Sequence, residues 1–270
     1  MDHLGVTSLH DIVHGDDELL RHDVDREGWA SGRARRNPGD LTRADRWHAG
    51  PMADVIDIVR DVDVERIELS EGAWVDVARG WVTGADALFE HLLTNVAWQS
   101  SRLFRYDHFV EERRLSTGWR RGMPLPHEAL AAATRGVQNR YGVRFDSFGI
   151  IQYRDGRDGQ AFHRDTDMRW LDDTIVAILS LGAQRPWLLR PRTSKFDDAP
   201  GKGATHDLAP ASGDLLVMGG RCQADWEHSV PYLPGRQLEP RISIQWRFAR
   251  QTGRPFQGSS YRAPLHYGRG

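Results

Sequence analysis

Cysteine is almost absent from this chain of 270 residues, which contains Cys222 alone. A single thiol excludes an internal disulfide framework and a cysteine-based zinc site. The chain also lacks an apolar run long enough for a signal peptide or a membrane span, and it shows no internal repeat or low-complexity tract. These absences predict a cytoplasmic protein with no membrane partner and no sign of an obligate protein partner.

Net charge is also small, at −2, but the charged residues are unevenly distributed. Residues 1–70 carry a formal charge of −7, whereas residues 71–270 carry +5, with an excess that is nearly all arginine. Arginine suits contacts with phosphate groups, and it is equally common on an ordinary protein surface. The charge pattern by itself is therefore only a minor indication of nucleic-acid binding.

Composition divides the chain into three parts. Residues 1–65 are acidic, rich in Asp, Arg, His and Gly, and poor in apolar clusters, which predicts a flexible or loosely packed N-terminal extension. Residues 66–250 show the apolar periodicity of a folded domain, and the ten Trp of the chain are ample for a packed core. Residues 251–270 are an irregular C-terminal tail with no assigned role.

Two segments of the domain have the apolar spacing of helices. The first helix is predicted to have Thr83 as its N-cap, and the second is predicted to begin at Pro126 and to end at Gly142. The predicted apolar faces are Leu88, Leu92, Val96 and Ala97 in the first helix, and Leu130, Ala131, Thr134, Val137 and Tyr141 in the second.

Short strands account for most of the remaining pattern. Strands are expected around Ile67 and Trp74, and residues 113–119 are predicted to be a polar strand or loop. The candidate strands after Gly142 are residues 145–153, 161–165, 175–181, 187–190, 214–218, 226–230 and 241–248. Strands of this length and spacing, separated by turns rich in Gly, Pro and Asp, are typical of a double-sheet jelly roll or a barrel. The predicted fold class is mainly β with flanking helices (α+β).

Residues 148–167 contain the first candidate metal ligands. A predicted strand ends at Tyr153, a Gly-rich turn follows, and His163-x-Asp165 then places an imidazole and a carboxylate on one face of an extended segment. Two ligands on one face suit a single metal ion. A second H-x-D occurs at His14 and Asp16, but it lies in an acidic, aperiodic segment and is interpreted as a coincidence.

His228, in the predicted strand A-D-W-E-H-S-V-P, is the candidate third ligand. A lone histidine in a strand is more often structural, but two histidines and one carboxylate leave coordination positions open, as non-haem iron oxygenases require. Alternation in R-I-S-I-Q-W-R-F puts Arg241, Ser243, Gln245 and Arg247 on one face. That face is either an ordinary solvent-exposed side or the lining of a ligand-binding interior.

A 2-oxoglutarate co-substrate would use such an interior. Its keto-acid end chelates Fe(II), its far carboxylate needs a buried cation, and O2 takes the last iron position. Arg241 is the candidate cation because guanidinium binds carboxylate through two parallel hydrogen bonds. Tyr153 and Ser243 are the hydroxyl groups available to assist it.

Several motifs together resemble the AlkB family of Fe(II)/2-oxoglutarate-dependent dioxygenases, which oxidatively dealkylate nucleic-acid bases. They are R-D-G-R-D, His163-x-Asp165-x-Asp167, L-S-L-G-A, G-D-L-L-V-M-G-G, A-D-W-E-H-S-V-P and P-R-I-S-I-Q-W-R. The resemblance implies a double-stranded β-helix. It also implies iron ligands at His163, Asp165 and His228, 2-oxoglutarate contacts at Tyr153, Arg241 and Arg247, and recognition of the exocyclic amine of a methylated base by Asp167.

The resemblance extends to the substrate side. R-R-L-S-T-G-W is similar to the substrate-side segment of the family, so Trp119 or Phe162 is a candidate platform for a flipped or single-stranded base. Aromatic residues in such positions are more often part of the core than a stacking platform. The candidate phosphate contacts, for each of which solvated surface is the alternative, are Arg113, Arg154, Arg157 and Arg164.

Two features depart from the family pattern. Ile151 stands where family members usually have Asn, and the connection between Trp119 and Pro126 lacks a Tyr-bearing hairpin. The function implied by the resemblance is demethylation of bases such as 1-methyladenine or 3-methylcytosine in DNA or RNA, with release of formaldehyde, succinate and CO2. The alternatives are the same chemistry on a small molecule or a protein, and a non-catalytic jelly-roll binding module.

Overall fold

The computed structural model describes residues 55–70, 72–105, 108–192 and 205–257, with the side chains of residues 101–111 excluded. The predicted extension up to residue 54, the H-x-D at His14 and Asp16, and residues 258–270 of the predicted tail lie outside the described residues. None of the described helices is long and apolar enough to cross a membrane.

Short strands dominate the described part of the chain. The strands are β1 (Asp57–Ile58), β2 (Val64–Ser70), β3 (Ala73–Ala78), β4 (Val82–Thr83), β5 (Gln99–Arg105), β6 (His108–Arg120), β7 (Ser147–Tyr153), β8 (Gln160–His163), β9 (Thr174–Gly182), β10 (Leu188–Pro191), β11 (His206–Asp207), β12 (Leu215–Gly220), β13 (Trp226–Val230) and β14 (Arg241–Ala249). The helices are α1 (Ala85–Asn95), α2 (Ala129–Tyr141) and α3 (Cys222–Asp225).

These strands form two main antiparallel sheets. The large sheet has the order β2-β3-β12-β9-β14-β7-β6-β5, and the small sheet has the order β11-β10-β13-β8. From β7 to β10 and again from β12 to β14, consecutive strands alternate between the two sheets. This alternation is the topology of a double-stranded β-helix, so the predicted jelly roll is confirmed.

The centre of the large sheet is buried on both faces. One face packs against α1 and α2 through residues such as Leu92, Leu130 and Trp246. The other face packs against the small sheet, where Ile178 meets Trp187. Because side chains alternate along a strand, every strand at the centre of this sheet supplies side chains to the helix side and to the space between the sheets.

The starts of both helices differ from the prediction. Thr83 does not cap α1, because its hydroxyl contacts the carbonyl groups of Val55 and Asp57, each at 3.4 Å. Gly84 precedes the helix instead, in the left-handed region with φ 63°. The second helix begins at Ala129 rather than Pro126, and the Ala129 N–H donates to His127 Nδ1 at 3.1 Å.

The apolar faces also differ in part. Helix α1 ends at Asn95, so Val96 and Ala97 follow it, and Ala97 is exposed. The buried residues of α2 are Ala129, Leu130, Ala133 and Val137, whereas Ala131 and Thr134 are only partly buried.

The domain boundary predicted at residue 66 falls inside β2, which begins at Val64. Residues before this strand are also part of the fold. Strand β1 pairs with β4, and Ile56 and Ile58 pack against the core beneath the helices. The folded unit therefore includes residues that composition alone assigned to the extension.

Candidate active site

Two facing histidines and one aspartate form the centre of the site, between the sheets. His163 ends β8, and the antiparallel register places His228 of β13 directly opposite it, with ring centroids 4.1 Å apart. Asp165 follows two residues later, and its Oδ1 lies 3.8 Å from His163 Nε2. One ligand atom from each residue lies within 4.8 Å of the other two, and all three residues are buried.

Both imidazoles are neutral in this setting. Burial lowers the pKa of His163 and lowers that of His228 well below the ordinary histidine value. His163 Nδ1 lies 2.9 Å from the Ala161 carbonyl oxygen, which can only accept, so Nδ1 carries the proton. The lone pair of His163 Nε2 is therefore free to bind a metal.

Asp165 is held as an anion by a buried arginine. Arg247 Nε donates to Asp165 Oδ2 at 2.9 Å, and Arg247 Nη2 donates to Gln245 Oε1 at 2.6 Å. Burial alone would raise the pKa of Asp165, but the Arg247 guanidinium opposes it, and the pKa lies below the ordinary aspartate value. The carboxylate is thus available as a metal ligand.

This donor set fits iron. Two neutral imidazoles and one carboxylate form the facial triad of non-haem Fe(II) oxygenases, which leaves positions open for a co-substrate and O2. His228 Nδ1 is buried and has no hydrogen-bond partner among the described residues. A buried imidazole nitrogen without a partner in the described ranges, on one of the three candidate ligands, is consistent with a metal ion bound to this residue.

Arg241 is a buried cation with few partners. Its side chain is fully buried, Nη2 donates to Ser180 Oγ at 2.8 Å, and Nε and Nη1 have no partner within the described ranges. Burial lowers the pKa of the guanidinium to about 10, and the guanidinium lies 5.7 Å from the centre of the Tyr153 ring. An unpaired buried guanidinium fits a ligand carboxylate, as the sequence analysis predicts for 2-oxoglutarate.

One narrow cavity is lined by several of these groups. His163, His228 and Arg247 line it at one end, together with Tyr153 and Ser243 from the strand segments beside Arg241. Its volume is about 10 Å³, and the Ser243 hydroxyl is buried without a partner in the described structure. The predicted residues His163, His228, Tyr153, Ser243 and Arg247 therefore line one cavity between the sheets, whereas Asp165 and Arg241 lie behind its walls.

Asp167 lies next to the triad. It belongs to a short 3-10 turn, Thr166–Met168, which directly follows Asp165. Burial raises the pKa of Asp167 to about 8, Arg247 opposes the rise and Asp165 adds to it. Its Oδ1 is buried and unpaired in the described part of the chain, so it has an acceptor available for a substrate.

The aromatic and basic substrate candidates do not join this cavity. Trp119 stacks on Phe148 on the helix side of the large sheet, with centroids 5.6 Å apart. The Phe162 ring is covered by the Arg190 guanidinium at 3.7 Å. The Arg113 side chain is exposed to solvent.

The other predicted phosphate contacts have partners within the protein. Arg154 pairs with Asp158, and its Nη2 donates to the Arg113 carbonyl oxygen. Arg157 pairs with Asp155 at 2.6 Å. Nη1 of Arg164 lies 3.3 Å from the carbonyl oxygens of Gln223 and Ala224.

Several residues of the site were missed in the sequence, among them Arg114, Trp187 and Gln223. Arg114 is buried, lines the cavity and pairs with Glu112 at 3.1 Å. The Trp187 ring stacks on His228, with centroids 5.4 Å apart, and Gln223 Oε1 accepts a hydrogen bond from the Asp165 N–H at 2.8 Å. Alternation along R-R-L-S was the available signal for Arg114, because it places Arg113 and Arg114 on opposite faces.

Comparisons with known proteins agree with this site. The family model for the 2OG-Fe(II) oxygenase superfamily matches residues 84–247. The alpha-ketoglutarate-dependent dioxygenase alkB homolog 3 of Bos taurus is 29% identical over 176 residues, covering 60% of this chain and 61% of that protein. Its Homo sapiens counterpart is 28% identical over 197 residues, covering 68% and 66%.

A second kind of relative and two solved structures are also similar. The DNA oxidative demethylase ALKBH2 of Homo sapiens is 30% identical over 106 residues, covering 39% of this chain and 40% of that protein. A 2OG-Fe(II) oxygenase family oxidoreductase from Burkholderia pseudomallei matches with a TM-score of 0.40 and 15% identity, covering 64% and 82%. A Trichoplax adhaerens prolyl hydroxylase matches with a TM-score of 0.46 and 12% identity, covering 64% and 82%.

The fold, the triad and the matched family model define one class, and this chain belongs to the 2OG-Fe(II) oxygenase superfamily. Within it, the similarity to alkB homolog 3 and to ALKBH2 confirms the predicted membership of the AlkB family. The family uses Fe(II), 2-oxoglutarate and O2, which agrees with the predicted cofactors. The chain spans about two thirds or less of the length of these relatives.

Proposed function

We propose that this protein is an Fe(II)- and 2-oxoglutarate-dependent demethylase of alkylated bases in nucleic acid. The observation that carries the proposal is the fully buried Arg241, whose Nε and Nη1 have no partner among the described residues. Arg241 pairs across the sheet with Tyr153, which lines the same cavity as His163 and His228. A buried guanidinium without an anionic partner is costly, so a ligand carboxylate is the natural partner.

The residues have separate roles in this proposal. His163, Asp165 and His228 hold the iron, and Arg247 fixes the orientation of Asp165. Arg241 binds the far carboxylate of 2-oxoglutarate, with Tyr153 and Ser243 beside it. When bound, Fe(II), O2 and 2-oxoglutarate supply an oxidation that inserts one oxygen atom into a C–H bond and forms succinate and CO2.

The substrate assignment has its own support. The names of the relatives describe a DNA oxidative demethylase and an alpha-ketoglutarate-dependent dioxygenase. In this chain, Asp167 has an unpaired oxygen beside the triad, which can accept a hydrogen bond from the exocyclic amine of adenine or cytosine. Hydroxylation of the N-methyl group gives an N–CH2–OH adduct. When its C–N bond breaks, the hydroxyl proton leaves, formaldehyde departs and the bonding electrons return to the unmethylated ring nitrogen of adenine or cytosine.

A second candidate is the same oxidation on a small molecule or a protein side chain. One observation favours this candidate. Trp119 and Phe162 do not line the cavity at the triad, so they form no platform there on which a base could stack. Both candidates share the iron and 2-oxoglutarate residues, so only the substrate distinguishes them.

The test is a measurement of succinate and formaldehyde release. The protein is loaded with Fe(II) without oxygen and then given O2, 2-oxoglutarate and single-stranded oligonucleotides that carry 1-methyladenine or 3-methylcytosine. We expect one formaldehyde per succinate with loss of the methyl mark, no turnover by His163→Ala, and retained turnover by His206→Ala, a histidine outside the triad. Succinate release without demethylation would favour the second candidate, and the absence of both products would contradict the proposed oxygenase.

A further inference from the structure

A second cavity lies on the helix side of the large sheet, away from the iron ligands. Its volume is about 320 Å³, and it is bounded by the end of β6, the connection to α2, one side of α2 and the start of β7. This volume is at the lower end of the range for small-ligand sites, about 300–1,000 Å³. The cavity is therefore large enough for one nucleotide-sized ligand.

The walls of this cavity are aromatic and apolar. Trp119 stacks on Phe148, and Trp119 Nε1 donates to the Pro124 carbonyl oxygen at 3.0 Å, which fixes the indole at the wall. Met123 and Leu125 also line the cavity and are 43% and 39% exposed, although both are apolar. Apolar side chains that remain exposed around a concave site are typical of a ligand-binding surface.

The rim of the cavity is basic. Arg121 and Arg144 line it, both are exposed, and neither side chain has a hydrogen bond or an ion pair to the described part of the chain. Arg120 also lines the cavity, and Asp146 is the acidic residue among the lining residues. An apolar, aromatic interior with a cationic rim is complementary to a ligand with a flat apolar body and an anionic group.

The cavity lies at the same end of the sheet as the candidate substrate reader. Trp119 of β6 pairs with Phe148 of β7, which pairs with Trp246 of β14. Arg247, the next residue of β14, points to the opposite face and binds Asp165. Strands β6 and β14 are two strand spacings apart. The cavity therefore lies on the order of 10 Å along the sheet from β14, whose Arg247 binds Asp165.

We propose that this cavity binds a second nucleotide of the same single strand that supplies the reacting base. The nucleobase packs against Trp119 and Met123, its phosphate lies between Arg121 and Arg144, and the strand passes around the end of β6 towards Asp167. This inference rests on the proposed function, because it takes nucleic acid as the substrate. It gives Trp119 a role in substrate binding outside the iron cavity.

The test uses binding alone, without turnover. Unmethylated single-stranded DNA of about 12 nucleotides carries a fluorophore, and its anisotropy gives the dissociation constant at several salt concentrations. For the double variant Arg121→Ala/Arg144→Ala we expect the dissociation constant to rise about tenfold, and the salt slope to fall in magnitude by about 1.4, as the loss of two phosphate contacts requires.

A matched control removes the same charge elsewhere. Arg135 and Arg140 are exposed on α2 and do not line the cavity, so Arg135→Ala/Arg140→Ala should change the dissociation constant by less than about twofold. Met123→Glu places a negative charge at the exposed mouth, and we expect it to weaken binding as much as the double arginine variant. Circular dichroism confirms that each variant is folded.

The possible outcomes separate the two proposals. If both double variants weaken binding equally, or neither does, the second nucleotide site is wrong, even when the wild-type protein demethylates oligonucleotides. If Arg121→Ala/Arg144→Ala alone lowers affinity and the salt slope, the site is supported, even when no demethylation is detected. Tighter binding of an acidic peptide than of the oligonucleotide at this cavity would also overturn the assignment.

Discussion

Arg241 is the residue on which the proposed co-substrate site depends most. Its guanidinium is fully buried, retains one hydrogen bond to Ser180 and leaves two nitrogens unpaired in the described structure. Arg185 lies nearby and is also buried, but it donates to the carbonyl oxygens of Asp155, Asp158, Tyr153 and Glu239. The second arginine is therefore structural, whereas the first is left without the anion that would stabilise it.

Replacement of Arg241 should separate stability from co-substrate binding. We expect Arg241→Met to leave the free energy of unfolding unchanged or to raise it by about 1–4 kcal/mol, because an apolar side chain replaces an unpaired buried charge. The further increase in Tm when 2-oxoglutarate is added to the Mn(II)-loaded protein should disappear. Thermal unfolding of the protein alone, with Mn(II), and with Mn(II) plus 2-oxoglutarate measures both effects.

Arg185→Met is the matched control for that experiment. It should lower Tm strongly, because four carbonyl oxygens lose their buried donor. A full 2-oxoglutarate-dependent Tm increase in Arg241→Met would show that Arg241 does not bind the carboxylate.

Alternation along one strand was sufficient to predict some of these residues. Ile242, Ile244 and Trp246 pack under the helices, which leaves Arg241 and Ser243 on the inner face, as the sequence indicated. The polar strand β6 has no apolar alternation to reveal which of its sides is buried. The sequence therefore pointed to exposed Arg113, and the structure places Arg114 in the site.

Helix α3 is the element that joins the two halves of the triad. It directly precedes β13, which carries His228. Gln223 is fully buried and accepts a hydrogen bond from the Asp165 N–H at 2.8 Å, and Arg164 Nη1 lies 3.3 Å from two carbonyl oxygens of the same helix. The spacing between Asp165 and His228 is thus controlled by four residues of helix.

Loss of the Gln223 acceptor should weaken metal binding. We expect Gln223→Met, which keeps the side-chain size, to lower the Mn(II) affinity about tenfold or more, in the range observed for residues that orient metal ligands. Isothermal titration of the protein without 2-oxoglutarate gives this affinity directly.

Gln138 is the control for this experiment, because its side chain also accepts a hydrogen bond from a backbone N–H. Gln138 Oε1 accepts from the Phe145 N–H at 2.9 Å, outside the site. Gln138→Met should cost a similar stability, about 1–3 kcal/mol, without any change in Mn(II) affinity. Equal affinities for the two variants would assign Gln223 a purely structural role.

At the level of elements, the sequence predicted long periodic segments better than their ends. Helix α2 was predicted from its apolar spacing, but its start depends on His127, whose ring nitrogen accepts the Ala129 N–H. Helix α3 has four residues and no period to detect. Both features depend on contacts that sequence spacing does not encode.

For the whole molecule, the decisive contacts join distant parts of the chain. In the large sheet, β3 pairs with both β2 and β12, and β14 lies between β7 and β9. The sequence predicted the strands and their alternation, and the family resemblance implied the β-helix. The face of β6 on which Trp119 lies is known only from its pairing with Phe148. The sequence of residues 113–119 did not decide whether this segment is a strand or a loop.

The start of the folded unit can be tested by truncation. A chain that begins at residue 55 retains β1 and the core contacts of Ile56, Ile58, Val62 and Val64, whereas a chain that begins at residue 66 loses them. We expect the first to unfold at the same urea concentration as the full chain. The second should be less stable by about 2–4 kcal/mol, from the lost burial of these four side chains.

The opposite result has a clear meaning. Equal urea midpoints for both truncated chains would show that the packing of these four residues adds nothing to stability. A lower midpoint for the chain that begins at residue 55 would instead show that residues before it contribute to the fold.

The narrow cavity between the sheets should limit the rate at which the co-substrate binds. At about 10 Å³ it has room for roughly one water molecule, far less than a five-carbon dicarboxylate occupies. The walls must therefore separate before the co-substrate enters. The rate of this opening is set by the protein and does not depend on the concentration of 2-oxoglutarate. Loading of the site should reach a maximum rate that no excess of 2-oxoglutarate can increase, and release should wait for the same opening.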